Sequence, residues 1–485
     1  MKKKSLGVNA LLSGLQSLLN VIFPFITFPY ISRVLDVSGV GKVNFSSSII
    51  SYFSLIAALG INMFAIREGA KLRDNRKAIS EFASKILTIN LISTLIAYVL
   101  LAITILVVPI LHRYTDVIVL LSSQIILTTI GVNWLYTIFE EYSYMMLRDL
   151  IFKIVSVVLL FTMVRHHDDY LNYAAVSVIS SAGSYLLNFF HARKYCDFKL
   201  NFDFNWKSYI KPILLIFASM VAIQIYVNSD TTMLGFMKGN YSVGIYSVSV
   251  KVYTIVASLL ASALFVTIPR LSMLLGKKRY REYNSLLGRL INTLIVIVLP
   301  SIIGLIMLSK DVVAIIAGAK YASSAISLQI LTLALIFKLM CSVFNECALI
   351  PLKRENKSLI AFALAAVLNI GINFIAIPFM SERGAAMTTA LAEFTAMAVC
   401  FYYGRDTILP VVKNSGTIYN LITVLIGSVG IVGICLFGNT LISQRILRIA
   451  VNVIASGILY AVLLLIMKNQ TALGMLEQIK ERLQH

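Results

Sequence analysis

Residues 243–270 read VGIYSVSVKVYTIVASLLASALFVTIPR, and residues 40–67 read VGKVNFSSSIISYFSLIAALGINMFAIR. In both, a Val-Gly pair opens an apolar run and an arginine closes it, with Gly41 to Arg67 and Gly244 to Arg270 each 26 residues apart. At the same offset of 203, Asn44, Ser48 and Ser51 stand opposite Ser247, Lys251 and Thr254. Each arginine begins a connection with six basic residues: Arg67, Lys71, Arg73, Arg76, Lys77 and Lys85 in one, Arg270, Lys277, Lys278, Arg279, Arg281 and Arg289 in the other. The recurrence predicts a duplication. Such runs are helices rather than barrel strands, because they are continuous and of membrane-spanning length instead of short segments with period-two alternation.

Outward from these two runs the chain is apolar throughout: 59% of its 485 residues are hydrophobic and only 13% charged. A soluble chain of this length has roughly twice that share of charge. Apolar stretches fall at about 8–32, 43–65, 86–110, 116–138, 149–165, 171–191, 209–235, 242–268, 287–309, 323–350, 358–380, 384–404, 418–438 and 444–467. The expected fold is therefore an all-α polytopic membrane protein of about fourteen transmembrane helices. Six helices per repeat is an even number, so the two lobes share one orientation, related by an axis along the membrane normal. Residues 1–205 form the expected N-terminal lobe, 206–405 the C-terminal lobe, 406–467 two appended helices and 468–485 a cytoplasmic tail with an amphipathic pattern (Leu473, Met475, Leu476, Ile479, Leu483). No room remains for a large soluble domain, which excludes a soluble enzyme or a DNA-binding module. Five cysteines without CxxC spacing indicate no disulfide framework and no zinc site, and no cofactor or metal is expected.

Orientation follows from the basic residues. With the N-terminus inside, the inner connections hold 30 Lys and Arg and the outer ones 10, leaving Lys251 and Lys338 within spans. This bias predicts cytoplasmic termini, and it accounts for the net charge of +20 without nucleic acid. The first span follows Met-Lys-Lys-Lys and exceeds a signal-peptide core, so it is expected to be retained.

Charges inside spans are costly and mark function or pairing. Ser247, Lys251, Thr254, Ser258 and Ser262 recur at helical spacing and share one face of the eighth span. The hydroxyls alone could simply permit close helix approach; Lys251 calls for a partner, a water-filled path or snorkelling. Asp230 precedes the turn at Asn240 by ten residues and Lys251 follows it by eleven, so the two could face each other, as a structural pair or as a gate. Lys338 and Glu346 in the tenth span and Glu393 in the twelfth are the other intramembrane candidates, either facing a central cavity or pairing with neighbouring helices. Arg67, Glu68, Glu140, Glu141, Arg148, Asp149 and Arg270 gather at inner helix ends, where they anchor helices at the headgroups or form an entrance for anions.

The stretch Ile31-Ser-Arg-Val-Leu-Asp-Val-Ser-Gly-Val-Gly-Lys-Val-Asn-Phe, continuing to Leu59-Gly60 and Arg67-Glu68-Gly69-Ala70, resembles the amino-terminal signature of Wzx-type polysaccharide flippases. Asp230-Thr-Thr-Met-Leu-Gly-Phe with Val243-Gly-Ile-Tyr-Ser, and Asn133-Trp134 with Glu140-Glu141 and Arg148, resemble it too, so the likeness spans essentially the whole chain. The resemblance implies membership of the multidrug/oligosaccharidyl-lipid/polysaccharide exporter superfamily, with two six-helix lobes around a central cavity. It implies movement of undecaprenyl-pyrophosphate-linked oligosaccharide to the outer leaflet of the bacterial cell membrane for O-antigen, capsule or exopolysaccharide. The implied partners are that lipid-linked sugar, the lipid bilayer, and a polysaccharide polymerase with chain-length machinery.

A pyrophosphate cannot cross hydrocarbon unpaired, so Lys251, Lys338, Arg67 and Arg270, with Arg33 at the outer side, are the expected substrate contacts. Asp230, Glu346 and Glu393 are the expected gating or ion-coupling acids. No covalent chemistry, and hence no enzyme activity, is expected. A cation-coupled multidrug exporter of the same superfamily is the nearest alternative, but the first three spans lack the intramembrane carboxylate that is its usual hallmark. A lipid II flippase would share the cavity argument. A membrane glycosyltransferase or polymerase is disfavoured, because no D-x-D arrangement occurs and every outer connection is short.

Overall fold

The computed structural model describes residues 6–203, 205–413 and 415–484. Every regular element among them is helical, as lipid requires of a chain that cannot hydrogen-bond its backbone to water. They form two compact units, Met1–Gly244 and Ile245–His485.

The first unit contains α1 (Leu6–Val34), α2 (Val37–Ala58), α3 (Ile61–Gly69), α4 (Arg76–Val107), α5 (Thr115–Ile130), α6 (Asn133–Ile138), α7 (Tyr142–Met163), α8 (Tyr170–Val178), α9 (Tyr185–Ala192) and α10 (Lys211–Lys238). Leu59 (φ 46°) and Gly60 (φ 76°) bend the second span between α2 and α3. Gly60 is needed there: an added Cβ would lie 3.0 Å from the Phe217 nitrogen and 3.2 Å from the Ile213 oxygen of α10. Asn75 caps α4, its Oδ1 accepting from the N–H groups of Lys77 and Ala78, both at 3.1 Å.

The repeated Val-Gly pair acquires a physical meaning in this unit. A Cβ on Gly41 would stand 2.7 Å from the carbonyl carbon of Asn240 and 2.8 Å from the nitrogen of Gly244. The two repeat-related glycines therefore mark one close backbone crossing. Tyr114 secures it by donating to Asn240 Oδ1 at 2.5 Å. Alongside, α10 lies on α2, with the Thr232 hydroxyl donating to Ser48 Oγ at 3.0 Å and the Phe236 and Phe45 rings edge to face at 5.2 Å. The unit boundary at Gly244 is thus one of packing, whereas the expected boundary at 205 is one of sequence repetition.

The second unit holds most of α11 (Asn240–Gly276), then α12 (Tyr280–Ile316), α13 (Ser324–Ser342) continuing through a π turn at Val343–Leu349, α14 (Glu355–Val412), α15 (Ser415–Leu441), α16 (Arg445–Ile466) and α17 (Gln470–Gln484). Ser381 (φ 50°, ψ −129°) breaks α14 into two antiparallel arms. The arms touch directly: the Thr388 hydroxyl donates to Asn373 Oδ1 at 2.6 Å, and a Cβ on Gly384 would lie 2.7 Å from the Ala376 carbonyl carbon. Arg448 of α16 clamps Asp311 of α12 through two nitrogens, and the Tyr460 hydroxyl donates to Val296 O at 2.8 Å. These bonds dock the last hairpin onto α12.

Eleven helices among the described residues are long and apolar enough to cross a membrane. The chain is an all-α, multi-pass membrane protein. Three of the fourteen expected spans are not separate members of that set. The first is represented by the shorter apolar segment Ile22–Val34. The fifth, α7, carries Arg148, Asp149 and Lys153 within it, and the eleventh and twelfth are the two arms of α14. Lys2 to Lys4, counted in the inner charge, lie outside the described residues, as do the side chains of Ser262, Ile479 and Leu483.

Candidate functional site

α11 buries one side and leaves the other open. Val248, Ser249, Val252, Tyr253 and Ala257 are buried, while Ser247 and Lys251 are half-buried and Thr254 and Ser258 exposed. The buried side is fixed by a reciprocal pair, the Ser249 hydroxyl donating to Ser324 O at 2.8 Å and the Ser324 hydroxyl to Ile245 O at 2.7 Å. On the open side the Thr254 and Ser258 hydroxyls donate back to Lys251 O and Thr254 O, at 3.0 and 2.8 Å. Lys251 forms no ion pair among the described residues, so its ammonium group is uncompensated by any nearby carboxylate.

The second intramembrane cation is compensated. Lys338 of α13 donates to Glu393 Oε1 of α14 at 3.2 Å, and the Tyr253 hydroxyl of α11 donates to the same oxygen at 3.2 Å. The ammonium nitrogen also stands 5.3 Å from the centroid of the Tyr253 ring. Burial is unequal: the Glu393 side chain is 6% exposed and that of Lys338 40%. The carboxylate is therefore the buried member of the pair and holds the cation, while the lysine side chain is the partly open member. Such an arrangement can offer positive charge to an anion without leaving the cation alone in apolar surroundings.

The other predicted residues are divided between the two units. Glu346 is half-buried on the π turn, with no partner among the described residues; single π turns within helices are frequent at functional sites. Asp230 is buried in α10 of the first unit, and Lys251 belongs to the second. Arg67 is exposed and pairs with its neighbour Glu68 at 2.8 Å, which also binds Lys71 at 2.6 Å. Its repeat counterpart Arg270 is exposed without an ion pair among the described residues. Arg33 donates to Pro29 O at 2.8 Å, closing the end of α1.

Arg148 does not anchor at a headgroup. It is 3% exposed, donates to Asn133 Oδ1 at 2.6 Å, and lies 5.2 to 5.8 Å from the rings of Tyr136, Tyr144 and Tyr185. It is a cation held by aromatic faces under α6, whose ends are marked by the positive φ of Val132 and Glu140. Ion pairs that the sequence did not disclose include Lys42 with Asp116 at 2.9 Å and Arg354 with Asp406 at 2.6 Å.

The profile of the polysaccharide biosynthesis protein family matches residues 6–275. The chain belongs to this family. Within the match lie Arg33, Arg67, Asp230, Lys251 and Arg270; the Lys338–Glu393 pair lies beyond it. Among the relatives of this chain, one of Shigella dysenteriae named "Putative O-antigen transporter" is 24% identical over 77% of this chain and 93% of its own length. The capsular polysaccharide biosynthesis protein CapF of Staphylococcus aureus is 22% identical over 80% of this chain and 96% of its own. The fold is similar to that of a solved structure of the lipid II flippase MurJ, with a TM-score of 0.59 at 14% identity over 94% of this chain and 97% of that one. Family and fold agree with the sequence resemblance to Wzx-type flippases.

Proposed function

We propose that the protein is a flippase that carries undecaprenyl-pyrophosphate-linked oligosaccharide repeat units from the cytoplasmic to the outer leaflet of the bacterial cell membrane, by alternating access and without covalent chemistry. The observation that carries this function is a polysaccharide-family membrane fold with Lys251 on α11, without an ion pair among the described residues, and Lys338 on α13, backed by a buried carboxylate. The prenyl tail remains in lipid while these cations lower the cost of desolvating the pyrophosphate. Arg67, Arg270 and Arg33 are proposed as further contacts at the two mouths, Asp230, Glu346 and Glu393 as gating or coupling acids, and a polymerase as the partner that receives the exported unit.

The test is complementation of a flippase-null strain at matched expression, with surface polysaccharide as the readout. Lys338→Gln and Lys251→Gln are expected to lose export roughly tenfold or more, the cost of one charge-assisted contact. Lys277→Gln, in an exposed connection screened by salt within about 10 Å, is expected to export normally. Normal export by both intramembrane variants with failure of Lys277→Gln would move the substrate contacts to the basic loops.

Topology is a separate expectation. With both termini cytoplasmic, reporter fusions after residues 75, 200, 280 and 356 read as cytoplasmic, and fusions after 167 and 239 as external. Two adjacent sites reading in the opposite sense would break this orientation.

A further inference from the structure

In the second unit, a cavity of about 740 Å³ opens where the early turns of α12 meet the end of α14 and the first turns of α15 and α17. Among the described residues its lining holds one charged residue, Arg289, and no carboxylate. Arg289 donates to Ser285 Oγ at 3.3 Å and has no ion pair among the described residues. Asn284, Gln470 and Thr471 add side-chain donors to the same wall. Gly416 and Gln470, from the first turns of α15 and α17, line the same space, so two helix starts bring partial positive charge to it.

The wall is built rather than incidental. Asn469 is fully buried; its Nδ2 donates to Asn420 Oδ1 and Thr423 Oγ1, each at 2.7 Å, while its Oδ1 accepts from Ala472 N at 3.0 Å. Asn420 Nδ2 continues the chain to Asn292 Oδ1 at 3.1 Å. This network pins the start of α17 to α15 and α12 and fixes the cavity wall. The helix ends involved border the connections at 270–289, 405–413 and 468–482, all expected on the inner face, where anionic headgroups concentrate.

We propose that this cavity, apart from the lysine-bearing helices assigned to transport, is a binding site for a phosphate-bearing anion. The same chemistry is offered by a lipid headgroup and by a soluble phosphate. The test uses the full chain in phosphatidylcholine nanodiscs, alone, with phosphatidylglycerol, or with inorganic phosphate, and follows hydrogen exchange of residues 284–292 and 470–472 beside anion retention. Either anion is expected to protect both segments, phosphatidylglycerol alone pointing to a lipid and inorganic phosphate alone to a soluble ligand. Arg289→Gln should weaken retention roughly tenfold, and Asn284→Ala, which leaves the charge in place, less so. Lys277→Gln, outside the lining, should leave it unchanged. No protection by either anion, or protection equal in Arg289→Gln and the parent, overturns the site.

Discussion

Replacing Lys338 by Met should lower the thermal stability of the purified protein sharply, and Lys338→Met combined with Glu393→Gln should restore most of that loss without restoring export. Lys338 and the Tyr253 hydroxyl are the two donors at Glu393 Oε1, each at 3.2 Å, and the carboxylate is 6% exposed. Removing the cation leaves a buried charge with one neutral donor. Breaking a fully buried pair in this way costs about 3–5 kcal/mol, and the 40% exposure of the Lys338 side chain places the expected loss at the lower end or somewhat below. Neutralising Glu393 as well removes the stranded charge, so the double variant should be far less unstable than the sum of the two single changes. Export behaves differently. If the open part of the Lys338 side chain meets the substrate anion, the double variant stays defective at near-normal stability. Additive stability losses would show that the two residues are not coupled, and full export by the double variant would show that the pair is only structural.

The second large effect concerns a side chain that is absent. Gly41→Ala should abolish monodisperse protein, whereas Gly39→Ala, two residues away on the same helix, should leave it intact. The added Cβ at position 41 would fall 2.7 Å from the carbonyl carbon of Asn240, and backbone cannot swing aside as a flexible side chain can. Tyr114 also donates to the Asn240 side chain at 2.5 Å, a bond that a shift of Asn240 would strain. Overpacking of this kind usually costs about 1–3 kcal/mol and more where the obstacle is main chain. At Gly39 the nearest atom is Tyr170 Cβ at 3.5 Å, an ordinary contact. Fluorescence-detected size exclusion of tagged variants separates the two outcomes, and equal profiles would remove the crossing from the list of features that hold the first unit together.

The helical plan was legible because lipid leaves a chain few choices. Apolar runs had to be helices, and the gap expected between spans ending at 380 and starting at 384 contains the break at Ser381. The repeated Val-Gly pair was visible as a pattern, while its cause, two backbones too close for a Cβ, needed coordinates. The candidate site was legible only as a set of expensive charges. Lys338 and Glu393 lie 55 residues apart and pair only once α13 packs against α14. Tyr253 was hidden because it sits beside a serine- and threonine-bearing stripe that drew attention to the opposite side of α11. Nothing in Val343–Leu349 distinguishes a π turn from an α-helix, since both bury the same apolar residues. Arg148 was misplaced because burial under α6 depends on a left-handed Val132, a conformation that a β-branched residue does not advertise.

The joint at Ser381 bears on which length changes the gene can tolerate. Connections between membrane helices usually absorb insertions and deletions, since a longer loop alters neither helix. Here one residue is the connection, and the Asn373–Thr388 bond and the tight approach at Gly384 lock the arms on either side. Adding or removing a single residue just after the joint would turn the following arm by about 100° relative to its bonded partner. Glu393 would then swing off the line to Lys338, although no charge had been altered. Length variation among homologues should therefore avoid this hairpin, and a library of single-codon insertions should show a gap in viable variants around residue 381.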